Sequence, residues 1–103
     1  MLRFQQRWEV VYGHFGEFIQ SLDEVNAVLR QRGWVEFTLW VPLSGRANEV
    51  LLVSDYPDMD TYRKEEAAAY GDPEFMKVWR LGSQHVVQGS GTSELLEPAP
   101  QMA

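Results

Sequence analysis

The chain contains no cysteine, which excludes a disulfide framework, a thiolate nucleophile and a cysteine-ligated zinc site. Positive charge is also scarce. Lys and Arg total 9 against 15 Asp and Glu, a formal net charge of −6. The basic residues form no cluster, so neither nucleic acid nor an anionic membrane surface is an expected partner. Histidine occurs twice, as His14 and His85, too seldom for a histidine-built metal site. The carboxylates of "SDYPDMD" lack calcium-loop spacing and read as solvated helix caps, so no metal is expected. No serine or threonine sits in a nucleophile elbow, and "GSG" at residues 89–91 precedes a strand rather than a helix N-terminus. No apolar run nears the roughly 20 residues that span a bilayer, and "MLRFQQRWEVV" lacks the apolar stretch of a signal peptide. A cytoplasmic protein without membrane insertion or cofactor is the expectation.

What is present is apolar and aromatic. Hydrophobic residues make up 45% of the 103 positions, with 4 Trp, 4 Tyr and 5 Phe. One domain is expected over residues 1–98, followed by a frayed tail at residues 99–103. Leu2, Phe4, Trp8, Val10 and Tyr12 alternate as in a half-buried strand, interrupted by Gln6, so the strand is expected to begin properly near Arg7. After it, Phe15, Phe18, Ile19, Leu22, Val25, Val28 and Leu29 recur at helical spacing and Gly33 closes the helix. "WVEFTLWVP" and "NEVLLVSDY" form a hairpin with Gly45 in its turn. Val35, Phe37, Leu39 and Val41 share one face of the first of these strands; Trp34, Glu36, Thr38 and Trp40 share the other. Asp58 caps a second helix that stops at Gly71. In "AYGDPEF" a proline and a glycine forbid one continuous helix, so Asp72 and Pro73 start a third, carrying Phe75, Val78, Trp79 and Leu81. "ELLEP" is the closing strand.

The order β-α-β, β-α-β defines an α+β, ferredoxin-like split β-α-β fold: a four-stranded antiparallel sheet with helices on one face. Helices cover one face only, yet both faces of the Trp34–Val41 segment bear large apolar side chains. A homodimer in which two sheets face each other, a dimeric α/β barrel, follows as an expectation.

With that architecture, "GWVEFTLWVPLSGRANEVLLVSDYPDMDTY" resembles the NIPSNAP family of the dimeric α/β-barrel superfamily. The likeness rests on Trp40 at a strand end, "GRANEV" around Gly45, Asn48 and Glu49, and "YPDM" opening the next helix. Gly13 after the first strand, the acidic-proline start "GDPEF" and the closing "ELLEP" extend it from about Arg7 to Pro98. Asp58 departs from the family's usual serine, and either residue caps a helix. The resemblance implies a fold and a dimer more than a reaction: animal members are associated with mitochondria and vesicles, and bacterial members are largely uncharacterised. Superfamily neighbours include cofactor-independent monooxygenases acting on polycyclic aromatics, haem-degrading enzymes and stress-response barrels. The Asn, Trp and His set expected of haem degradation has no match here, since no asparagine lies on the first strand.

Two readings of function follow. In the first, a NIPSNAP-like homodimer binds a small organic molecule, aromatic in kind, or a protein partner. In the second, it is a cofactor-independent monooxygenase or isomerase acting on a small aromatic or polyketide-like substrate, with His14 as base and Trp40, Asn48 and Tyr56 shaping the site. Tyr12, Trp40, Asn48 and Tyr56 are the candidate ligand-binding residues, with Trp8 as a further aromatic; the alternative is that the aromatics fill the core and the dimer interface. His14 and His85 are the two imidazoles, the side-chain type suited to acid–base work near neutral pH, and the alternative for His14 is a surface loop residue. An enzyme needs an open cavity holding His14 or another titratable group, whereas a protein-docking role needs an exposed apolar patch beyond the dimer interface.

Overall fold

The alternation that starts at Leu2 becomes a strand at once: β1 spans Leu2–Glu9, and Gln6 sits inside it rather than delaying it to Arg7. The computed structural model describes residues 1–100, so the end of the expected tail, residues 101–103, lies outside the described residues. The remaining elements are α1 (Phe15–Arg32), β2 (Thr38–Trp40), β3 (Glu49–Tyr56), α2 (Met59–Tyr70), α3 (Pro73–Ser83) and β4 (Thr92–Leu96). The sheet order is β2-β3-β1-β4 and every neighbouring pair is antiparallel. This is the α+β ferredoxin-like arrangement, with the second crossover divided between α2 and α3.

Local chemistry sets the boundaries. Gly33 takes a left-handed φ of 72° at the end of α1, a conformation that costs other residues a steric clash. Asp58 accepts the Thr61 amide at 2.7 Å and Asp72 accepts the Phe75 amide at 3.0 Å. "AYGDPEF" is therefore a break between two capped helices, with Pro73 where its missing N–H costs nothing.

Register places even-numbered residues of β1 and β3 on one face, since Trp8 pairs with Val50, Gln6 with Leu52 and Phe4 with Ser54. The helices lie on that face. Val10, Phe18, Leu22, Val50, Leu52 and Val86 form one buried cluster and Val25, Val28, Leu29 and Phe75 another, with Phe37 and Trp79 packed against both.

Two expectations are corrected. β2 is three residues long, because the backbone at residues 35–37 is bonded by side chains instead of by the β3 backbone. Asn26 bonds both the amide and the carbonyl of Phe37, at 2.8 and 2.9 Å. Glu65 accepts the Val35 amide at 2.7 Å, and Ser54 donates to the Glu36 carbonyl at 3.3 Å. Trp34, Val35 and Phe37 are thereby turned inward. The second correction is at the ends: Tyr12 lies beyond β1, where Val10 makes an isolated bridge to Val86, and β4 starts two residues before "ELLEP".

The other sheet face carries Thr38, Trp40, Leu51, Val53 and Leu96 by register. Trp40 is 59% exposed there, and ion pairs Arg3–Asp55 and Arg7–Glu49 cross the same face.

Candidate functional site

The site begins with α2, whose inward stripe is Tyr62, Glu65, Glu66, Ala69 and Tyr70. The spacing is that of a core-facing stripe, but two of its members are carboxylates. A carboxylate pressed onto an apolar sheet loses its hydration without return, and no α2 residue is fully buried. The helix stands off, and a cavity of about 390 Å³ opens between the sheet and α2 and α3.

Its walls are mostly rings. Phe4 and Trp8 of β1, Tyr56 of β3, Tyr62 and Tyr70 of α2, Phe75 and Trp79 of α3, and the inward-turned Trp34 and Phe37 all line it. The rings pack in two groups. Tyr62 lies 5.6 Å from Phe4 and edge-on to Tyr56 at 5.2 Å; Trp79 lies 5.9 Å from Phe75 and 5.8 Å from Phe37. The polar lining includes Gln6, Glu65, Glu66, Thr92 and Ser93. Gln6, the residue that breaks the alternation of β1, accepts the Trp8 indole N–H at 3.0 Å. Tyr62 donates its hydroxyl proton to Glu66.

The electrostatics are one-signed. Burial and the nearby Glu65 charge push the Tyr56 phenol up to about 12. Burial also raises Tyr62, reinforced by its bond to Glu66. Both phenols are therefore neutral donors at physiological pH. The lining includes no Lys, Arg or His. Chemically, such a cavity can enclose a planar organic molecule between rings, orient it through phenol and amide groups, and accept a proton at Glu65 or Glu66.

Of the residues expected from sequence, Tyr56 and Trp8 line the cavity, whereas His14, Tyr12, Trp40 and Asn48 stand elsewhere. His14 precedes α1, and its Nδ1 lies 3.2 Å from Nδ1 of His85. Only one proton fits between two such nitrogens, so one ring donates and the other presents a bare lone pair. Tyr12 is 77% exposed in the turn after β1. Asn48 donates its side-chain amide to the Val10 carbonyl at 3.1 Å, tying the β1 exit to β3. Trp40 faces away from the helices and donates to Thr38 Oγ1 at 2.9 Å. Among the described residues, no three His, Asp or Glu side chains are grouped to hold a metal ion, and no helix is long and apolar enough to cross a membrane.

Solved structures share this architecture over nearly the whole chain. An uncharacterized NIPSNAP domain protein from Burkholderia xenovorans superposes with a TM-score of 0.81 at 20% identity, covering 100% of this chain and 99% of its own. The fold is that of the NIPSNAP domain. A NIPSNAP family protein of unknown function from Agrobacterium tumefaciens matches with a TM-score of 0.77 at 12% identity, over 96% of this chain and 88% of that one. SnoaB, a cofactor-independent oxygenase from Streptomyces nogalater, matches with a TM-score of 0.70 at 20% identity, over 98% and 95% of the two chains. No family model matches the sequence, and no curated protein does. The NIPSNAP fold expected from "GRANEV", "YPDM" and "GDPEF" is thus the fold adopted.

Gln6, Trp34, Tyr62, Glu65, Glu66 and Trp79 were not singled out as ligand-binding residues by the sequence reading. Three of them had signals. Gln6 interrupts an apolar alternation on the helix-facing side of a strand, and Glu65 and Glu66 occupy core-stripe positions of α2.

Proposed function

We propose that this chain is a small-molecule-binding protein, a cytoplasmic homodimer whose helix–sheet cavity takes a small, mostly aromatic organic molecule. The observation that carries the reading is the cavity itself: about 390 Å³, ring-walled, with a few polar groups, within the roughly 300–1,000 Å³ range of ligand sites. Tyr56 is the ligand contact among the residues first picked from sequence, joined by Trp34, Tyr62 and Trp79. Dimerisation pairs the open sheet faces through Trp40, Leu51 and Leu96 and leaves the cavity on the opposite side of each sheet.

Ala69 lines the cavity on α2, and Ala69→Leu fills space without disturbing a helix, since both residues are strong helix formers. Titration of tryptophan fluorescence with 2-naphthylmethanol should saturate for the wild type. The variant should bind at least about tenfold more weakly with an undiminished Tm; equal binding would count against the cavity as the site.

A second reading, a cofactor-independent monooxygenase or isomerase acting on an aromatic or polyketide-like substrate, is favoured by Glu65 and Glu66 in the cavity and by the fold shared with SnoaB. Shared fold alone carries no reaction. Oxygen uptake with a hydroxylated polycyclic substrate, lost in Glu66→Gln, would support it.

A further inference from the structure

The charge of the cavity narrows what it takes. Six ion pairs occur among the described residues, and they occupy Asp55, Glu49, Glu36, Asp72, Glu74 and Glu9. Glu65 and Glu66 are in none of them. Each has a neutral donor only, the Val35 amide for Glu65 and the Tyr62 hydroxyl for Glu66. Both are half-buried, and a carboxylate withdrawn from water without a counter-charge is costly.

We propose that the cavity binds an organic cation: an amine or quaternary ammonium group on an aromatic body, its charge held among Tyr56, Tyr62, Glu65 and Glu66 and its body against Phe75 and Trp79. A cation over ring faces is attracted by the ring quadrupole, most strongly where water is excluded. Here the same wall of α2 supplies rings and two negative charges, while the α3 wall, with Phe75, Met76 and Trp79, is apolar. Burial is the main reason the Tyr56 phenol is raised, and the Glu65 and Glu66 charges add to it in the same direction. An anionic ligand would meet two carboxylates and no lining Lys or Arg. A neutral aromatic would fill the space and leave both carboxylates uncompensated.

The inference rests on the proposed reading of the cavity as a ligand site, and the test separates the two. Three probes share one ring body: (2-naphthylmethyl)trimethylammonium, 2-naphthylmethanol and 2-naphthoate, each titrated by calorimetry into the full chain. The cation should bind about tenfold more tightly than the alcohol, and the carboxylate more weakly than either. In Glu65→Gln/Glu66→Gln the advantage of the cation should vanish while the alcohol keeps its affinity within about twofold. Glutamine retains an acceptor for the Val35 amide and the Tyr62 hydroxyl; should the double variant unfold, each single variant should lose part of the cation's advantage, and an undiminished advantage in both would overturn the charge assignment. A cation bound no better than the alcohol, or an advantage that survives both substitutions, overturns the charge assignment and leaves the cavity as a ligand site. Failure of all three probes to bind overturns both.

Discussion

Gly91 has no side chain because Trp8 occupies the place one would take: a Cβ there would stand 2.5 Å from Cη2 and Cζ3 of the Trp8 ring. With its indole N–H held by Gln6, Trp8 is fixed from two sides as a wall of the cavity. Tyr56 is the residue whose chemistry reports the site. Its phenol titrates at about 12 in the folded chain, against about 10 in the unfolded one. A raised acid pKa means that the neutral form is favoured by folding, so its contribution to stability is complete below pH 10 and is lost as pH rises toward 12. Ultraviolet titration of the wild type minus Tyr56→Phe should show one phenol ionising near 12, and a difference curve centred near 10 would contradict the buried, negative environment. Tyr56 was legible in the sequence as a strand aromatic. Trp40 and Asn48 do not line this cavity, and for Trp40 the sequence could not say which way it faces: alternation gives parity but not direction, and residues 34–41 carry large apolar side chains at both parities. Only the register of Leu51 with Trp40 shows that Trp40 faces away.

At the scale of elements, the sequence was most legible where backbone chemistry is strongest. Gly33, Asp58, Asp72 and Pro73 end or start helices through φ restriction or amide capture, and the structure uses each in that way. It was least legible where a side chain replaces a strand partner. Asn26, eleven residues before Phe37, takes both backbone groups of that residue, and no local pattern in "GWVEF" announces it. The break at residues 71–73 matters because it sets α3 apart from α2 and lets each wall a different side of the cavity. Asp72 secures it twice, capping Phe75 and accepting Arg32 at 2.8 Å. These bonds, Arg32 first, hold its carboxyl below the usual range. Such a group stabilises the fold above its unfolded pKa and loses that effect as pH falls through the folded value. Asp72→Ala should lower Tm by about 5 °C at pH 7, and by progressively less as pH falls below the usual carboxylate range; a Tm difference independent of pH would count against the ion pair.

At the scale of the whole molecule, the sheet divides two tasks. Its helix-facing side holds the core and the cavity, and its other side holds exposed Trp40 with Leu51, Val53 and Leu96. The large apolar side chains on both faces of residues 34–41 already implied that helices could not cover all the apolar surface, which is why the dimer was expected from sequence; the volume of the cavity was not legible, because it depends on where α2 comes to rest. Leu51→Glu places a charge in the middle of the proposed interface. Analytical ultracentrifugation should show a dimer for the wild type and monomer for the variant, with far-ultraviolet dichroism unchanged. A monomeric wild type would remove the dimer from the account.

The central claim is that the space under α2 is a ligand site, and the four tryptophans report on it directly. Trp8, Trp34 and Trp79 line the cavity, while Trp40 lies on the opposite face of the sheet and serves as an internal control. Fluorotryptophan-labelled protein titrated with 2-naphthylmethanol and followed by fluorine NMR should show the first three resonances shifting in a saturable way and the Trp40 resonance standing still. Shifts confined to Trp40, or no saturable shift at all, would contradict the account.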